Sequence, residues 1–91
     1  MTFKIKLWGQ LKHLNGEEFR AVELTGEPTI ENLLRQLATD AEAITHFLVD
    51  SEQKLSTSIL VFINNNQHIW GEKKVISKSD EITLMSPIAG G

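Results

Sequence analysis

Residues 3–8, FKIKLW, alternate without a break, placing Phe3, Ile5 and Leu7 on one face and Lys4, Lys6 and Trp8 on the other. That period of two predicts a half-buried β-strand. Gly9 interrupts it. Residues 10–18 then read as a loop with room for one helical turn, closing at Asn15-Gly16. Asn-Gly suits a tight turn because both residues tolerate positive φ. A second strand is predicted over residues 18–24, with Val22 and Leu24 on one face and Phe19 on the other; this imperfect alternation suggests a bulge.

The period then changes. Ile30, Leu33, Leu34, Leu37 and Ala38 recur at helical spacing and form one apolar stripe within residues 25–38. Thr29 is placed to cap that helix, Glu31 in its first turn suits the helix dipole, and Pro28 blocks extension upstream. A weaker helical pattern passes through Ile44, Phe47 and Leu48, before a polar loop over residues 50–58. Residues 59–64, ILVFIN, are a continuous apolar run, as expected of a central strand or one covered on both sides. The NNNQ stretch (64–67) turns the chain, and His68-Ile69-Trp70 predicts a short edge strand. Residues 71–81 read mostly as loop, with Val75 and Ile76 tucked in and a turn at Ser79-Asp80. The last strand, 81–85, sets Ile82 and Leu84 against Thr83 and Met85.

This order, ββαββ, fits one domain over residues 1–91 with a flexible tail from Ser86. A right-handed crossover through the helix would set a later strand parallel to the first. The expected architecture is therefore α+β, a β-grasp: a mixed sheet of four to five strands packed on one main helix.

Composition removes several classes of chemistry. The chain has no cysteine, which excludes disulfides, thiolate metal sites and cysteine nucleophiles. Its formal charge is −3, with nine basic and twelve acidic residues, a poor match for nucleic acid. No run is long or apolar enough to span a membrane, and the opening MTFKIKLWGQ lacks a secretory signal's apolar core; the cytoplasm is the expected location. His13, His46 and His68 are far apart in sequence and lack cysteine companions, so no metal site is expected. Asp80 and Glu81 form a carboxylate pair in a turn, without a nucleophile or base nearby. No catalytic constellation is present, and the chain alone is not expected to be an enzyme.

The N-terminal apolar-basic strand, the helix after PT, the ILVFIN strand, the SDEITLMSP segment and the closing IAGG together resemble the MoaD/ThiS family of ubiquitin-like sulfur carriers. The likeness covers essentially the whole chain. It is most specific at the end: an acidic turn, a strand, Pro87, and Gly90-Gly91 in the last two positions.

The resemblance implies that Gly91 is the carrier residue. Its carboxylate is an anion at neutral pH and a poor electrophile. A ubiquitin-activating-type adenylating enzyme would spend ATP to convert it to an acyl-adenylate, from which a sulfur donor displaces AMP to leave a thiocarboxylate. ATP is thus used by the partner, and no cofactor is held permanently. Entry into a nucleotide site needs a thin tail, which Gly90 and Gly91 supply and the small Ala89 extends. Residues 86–91, including Ile88, can reach about 20 Å when extended, and Pro87 stiffens their exit from the last strand.

Docking needs a surface as well. Trp8 and Met85 leave the sheet on the face opposite the helix, side by side if the first and last strands are parallel neighbours. They are the expected partner-binding residues, with Ile69, Leu60 and Phe62 as weaker candidates that the core could equally claim. The implied partners are the adenylating enzyme and a sulfur acceptor, foremost the large subunit of molybdopterin synthase. Carriers for cysteine, thiamin or tRNA thiolation share the pattern. Two other classes of function are a protein modifier joined through Gly91 to lysines and a non-covalent ubiquitin-like adaptor with a vestigial tail; the Gly90-Gly91 end argues against the adaptor.

Overall fold

The computed structural model describes residues 1–86. The chain folds in the order β1 (Thr2–Trp8), α1 (Gln10–Asn15), β2 (Phe19–Glu23), α2 (Ile30–Asp40), a 3₁₀ turn at Glu42–Ile44, α3 (Thr45–Leu48), β3 (Leu60–Ile63), β4 (Asn66–Gln67) and β5 (Ile82–Met85). The five strands form one mixed sheet ordered β2-β1-β5-β3-β4. β5 lies parallel to β1, while the β1–β2, β3–β5 and β3–β4 pairs are antiparallel. This is the β-grasp plan, with the helix α2 between the N-terminal hairpin and the later strands.

Alternation decides the faces. Phe3, Ile5 and Leu7 of β1, Val61 and Ile63 of β3, and Ile82 and Leu84 of β5 are buried against the helices. They meet Ile30, Leu33, Leu34, Leu37 and Ala38, the whole apolar stripe of α2, in one core. Thr29 caps α2 as its spacing predicts: its hydroxyl accepts a hydrogen bond from the Asn32 N–H at 3.2 Å, filling one donor that the first turn leaves open.

Several expectations are corrected. No bulge breaks β2, which pairs with β1 in unbroken register from Thr2↔Glu23 to Lys6↔Phe19. The imperfect alternation arises because the inward position before Val22 and Leu24 holds Arg20. Its guanidinium escapes the core by donating to the Asp40 carbonyl at 2.8 Å and to Asn15 Oδ1 at 3.4 Å. The helical turn expected within residues 10–18 is α1, and Asn15-Gly16 closes it as expected: Gly16, at φ 86°, caps α1 and donates its N–H to the Lys12 carbonyl at 2.9 Å.

The β3–β4 turn is tighter than NNNQ suggests. Asn64 and Asn65 have φ of 52° and 72°, the two left-handed residues of a type I′ hairpin turn. β4 therefore begins at once, over Asn66–Gln67, and His68–Trp70 follows the strand instead of forming it. β3 is flanked by β5 and β4 but covered on one face only, since Leu60 and Phe62 stay half-buried on the open side. Of the pair expected to tuck in, Ile76 is buried and Val75 is 61% exposed. This segment runs as extended chain past the start of α2, bonding Ile76 N–H to the Pro28 carbonyl, so adjacent side chains point opposite ways.

Candidate functional site

Among the described residues one face of the sheet is uncovered, and its residues follow from strand parity. β1 presents Lys4, Lys6 and Trp8, β5 presents Thr83 and Met85, β3 presents Leu60 and Phe62, and β2 presents Phe19 and Ala21. Trp8 is directly opposite Met85, and Met85 directly opposite Leu60. β4 ends at Gln67, paired with Phe62, and the bond from His68 N–H to the Val61 carbonyl leads on to Ile69, which lies beyond the strand. Trp8, Met85 and Leu60 thus form an apolar row across the sheet at the end where β5 stops.

Trp8 is 47% exposed and Ile69 is 62% exposed, while Met85, Leu60 and Phe62 are half-buried. Neither Leu60, Phe62 nor Ile69 belongs to the core. A shallow hollow of about 350 Å³ lies between Trp8, Met85, Phe62 and Lys6. Lys6 Nζ is 5.4 Å from the Trp8 ring centroid, and Lys4 Nζ is 4.3 Å from that of Phe19, distances at which the ring quadrupole attracts an ammonium. Phe19, Lys4 and Lys6 are the face residues that sequence reasoning left without a role. Their juxtaposition depends on the Lys6↔Phe19 register.

β5 delivers the chain to the edge of the row. Ser86 follows Met85 and is itself buried. Pro87, Ile88, Ala89, Gly90 and Gly91, the expected tail with its carrier residue, lie outside the described residues.

The opposite end of β5 is built around Asp80. Its carboxylate accepts hydrogen bonds from the Ser77 N–H at 2.8 Å and the Asn64 side-chain amide at 2.7 Å. These donors, Ser77 first, hold its pKa below the usual aspartate value. Glu81 donates its own N–H to Asn64 Oδ1 at 2.8 Å. The Asp80-Glu81 pair is thus a structural clasp tying the β3–β4 turn to the start of β5. At the rim of β2, the Thr2 hydroxyl and the N-terminal ammonium bond Glu23 and lower its pKa.

The three histidines do not meet. His13 and His46 are exposed; His68 is buried with its ring edge-on to Trp70 at 5.5 Å, and its Nε2 has no hydrogen-bond partner among the described residues. Among the described residues, no group of three His, Asp or Glu side chains converges as metal ligands would. No helix among those residues is long and apolar enough to cross a membrane.

The profile of the ThiS family matches residues 5–91. No curated protein matches the sequence. Among solved structures, the chain is similar to small archaeal modifier protein 1 from Haloferax volcanii, with 24% identity over 100% of both chains and a TM-score of 0.82. It is similar to small archaeal modifier protein 1 from Methanosarcina acetivorans, with 28% identity over 99% of this chain and 96% of that one, TM-score 0.75. A third likeness is to the Amycolatopsis orientalis BexX/CysO complex, with 24% identity over 98% and 99% of the two chains and a TM-score of 0.66.

Proposed function

The chain belongs to the ThiS family of ubiquitin-like sulfur carriers and modifiers, and from that premise we propose that Gly91 is its reactive residue. An adenylating enzyme binds the uncovered sheet face and takes residues 87–91 into its nucleotide site. A Gly91 carboxylate oxygen attacks the α-phosphorus of ATP and pyrophosphate leaves. Sulfide then attacks the carbonyl carbon of the acyl-adenylate. AMP departs with the transferred oxygen, and the thiocarboxylate remains on Gly91.

The observation that carries this reading is the parallel register of β5 beside β1. It puts Trp8 directly opposite Met85, in the last pair before the chain leaves the sheet at Ser86. An enzyme seated on the apolar row is therefore adjacent to the start of the tail. A short reach from there is consistent with the two terminal glycines, whose lack of side chains suits a narrow channel. The chain itself supplies position and the terminal carboxylate, and the chemistry belongs to the partner.

For the acceptor, we propose the large subunit of molybdopterin synthase, on the length of the chain and the proline-containing end SPIAGG. A second reading is conjugation, in which a target lysine amine displaces AMP to form an isopeptide bond; the 28% identity to a small archaeal modifier protein favours it. Chain-dependent exchange of labelled pyrophosphate into ATP by the adenylating enzyme tests the shared first step. It should vanish on deletion of Gly90 and Gly91, with the unfolding temperature unchanged. Exchange that survives the deletion would place activation elsewhere. Sulfur transfer to the pterin precursor, against isopeptide adducts in cells, separates the two acceptors.

A further inference from the structure

Charge is unevenly partnered in this molecule. Lys12, Lys54 and Lys73 lie 3.8, 3.4 and 3.2 Å from glutamates, and Arg20 and Arg35 donate to backbone carbonyls. Lys4 and Lys6, on the uncovered sheet face, have no carboxylate within ion-pair distance among the described residues. They lie over Phe19 and Trp8 instead. Lys78 joins them on a groove of about 390 Å³ along β1 and β5. Acidic groups near this face are already engaged: Glu23 by the N-terminal ammonium and Thr2, Asp80 by Ser77 and Asn64. Among the described residues, Glu81 is exposed there with no ion-pair or hydrogen-bond partner on its carboxylate. An acidic protein, with net charge −3, thus turns a basic and apolar face outward.

Resting on the carrier reading of this face and deepening it, we propose that the uncovered sheet docks an acidic protein surface, with partner carboxylates opposite Lys4 and Lys6 and apolar side chains covering Trp8, Met85 and Leu60. Lys4 and Lys6 are two residues apart on one strand, about 7 Å, less than the screening length of about 10 Å at 0.1 M salt. A cluster of carboxylates therefore feels them as one doubly charged site. Contact with the Phe19 and Trp8 rings keeps both ammonium groups on this face, where a partner meets charge and apolar surface together. A phosphate backbone offers no apolar counterpart for Trp8, Met85 and Leu60, which favours protein over nucleic acid.

Stopped-flow association with the adenylating enzyme tests this. Lys4→Glu/Lys6→Glu should slow association about tenfold at low ionic strength, an effect that fades as salt is raised. Lys4→Gln/Lys6→Gln should fall between that variant and the parent. Lys54→Glu/Lys73→Glu changes net charge equally but lies off the face, and should leave the rate within about twofold. Equal slowing by the two reversed pairs would reduce the effect to net charge and overturn the inference; so would faster association of the Lys4/Lys6 reversal, which indicates a basic partner. Lysine-dependent binding of the protein to duplex DNA, to phosphatidylserine vesicles or to itself would assign the face to another occupant and overturn it too. Pyrophosphate exchange that proceeds while the lysine variants associate normally leaves the carrier reading standing and removes only this inference. A parent protein that neither associates nor supports exchange removes both.

Discussion

Phe3 and Trp8 are aromatic residues on one strand with opposite parity, and truncating each should have opposite consequences. Phe3 is 1% exposed and packs in the core, so Phe3→Ala should cost about 3–5 kcal/mol. In a chain of this length each kcal/mol lowers the unfolding temperature by about 4–8 °C, giving a drop of about 12–40 °C. Trp8 is 47% exposed, which leaves about 100 Å² of a typical Trp surface covered, at most about 2.5 kcal/mol. Alanine keeps some of that contact and the unfolded chain covers some already, leaving about 1–2 kcal/mol for Trp8→Ala. Affinity for the adenylating enzyme should rank the other way. Loss of an aromatic anchor at an interface costs about 2 kcal/mol or more, roughly thirtyfold in Kd, whereas Phe3→Ala measured well below its unfolding temperature should bind nearly as the parent does. Met85→Lys should behave as Trp8→Ala does, because a lysine would be stranded against the same apolar contact. Thermal unfolding by circular dichroism and titration calorimetry supply the two readouts. Trp8 is no docking residue if Trp8→Ala unfolds as severely as Phe3→Ala, or if it folds and binds at parental affinity.

Asp80 makes stability pH-dependent. Its folded pKa is lowered by the Ser77 and Asn64 donors, so its contribution is fully present above the unfolded value of about 3.9 and is lost as pH falls through the folded value. Melts taken from neutral to acid pH should show Asp80→Asn less stable than the parent at pH 7 and the gap closing in acid; a constant gap would contradict this. The turn residue Asn65, at φ 72°, should accept glycine with little change or a slight gain, while Asn65→Val should lose about 1–2 kcal/mol by chemical denaturation. Equal stability of the two would refute the left-handed assignment.

What the sequence reveals is set by how local the physics is. The β1 alternation, the α2 stripe and the Thr29 cap depend on neighbours within a few residues, and each is readable from spacing alone. Arg20 is not, because its tolerance at an inward position depends on the Asp40 carbonyl and on Asn15, neither of which marks it from afar. Asn15-Gly16 is ambiguous for another reason: a left-handed residue suits a helix cap as well as a hairpin, and only the flanking geometry chooses. The same division runs through the candidate site. Parity alone sends Trp8 and Met85 to the outer face, but that Leu60 joins their row, and that Lys4 lies on Phe19, follows from strand register. Register is a non-local property, fixed when the apolar faces of all strands close on one core.

Intact-mass spectrometry reads the proposed chemistry at Gly91 itself. Incubation of the full chain with the adenylating enzyme, ATP and sulfide should raise its mass by the difference between sulfur and oxygen, with fragmentation locating the change in the C-terminal residue. An unchanged mass in the presence of an enzyme that is active on another carrier, or a sulfur located anywhere but Gly91, would contradict it.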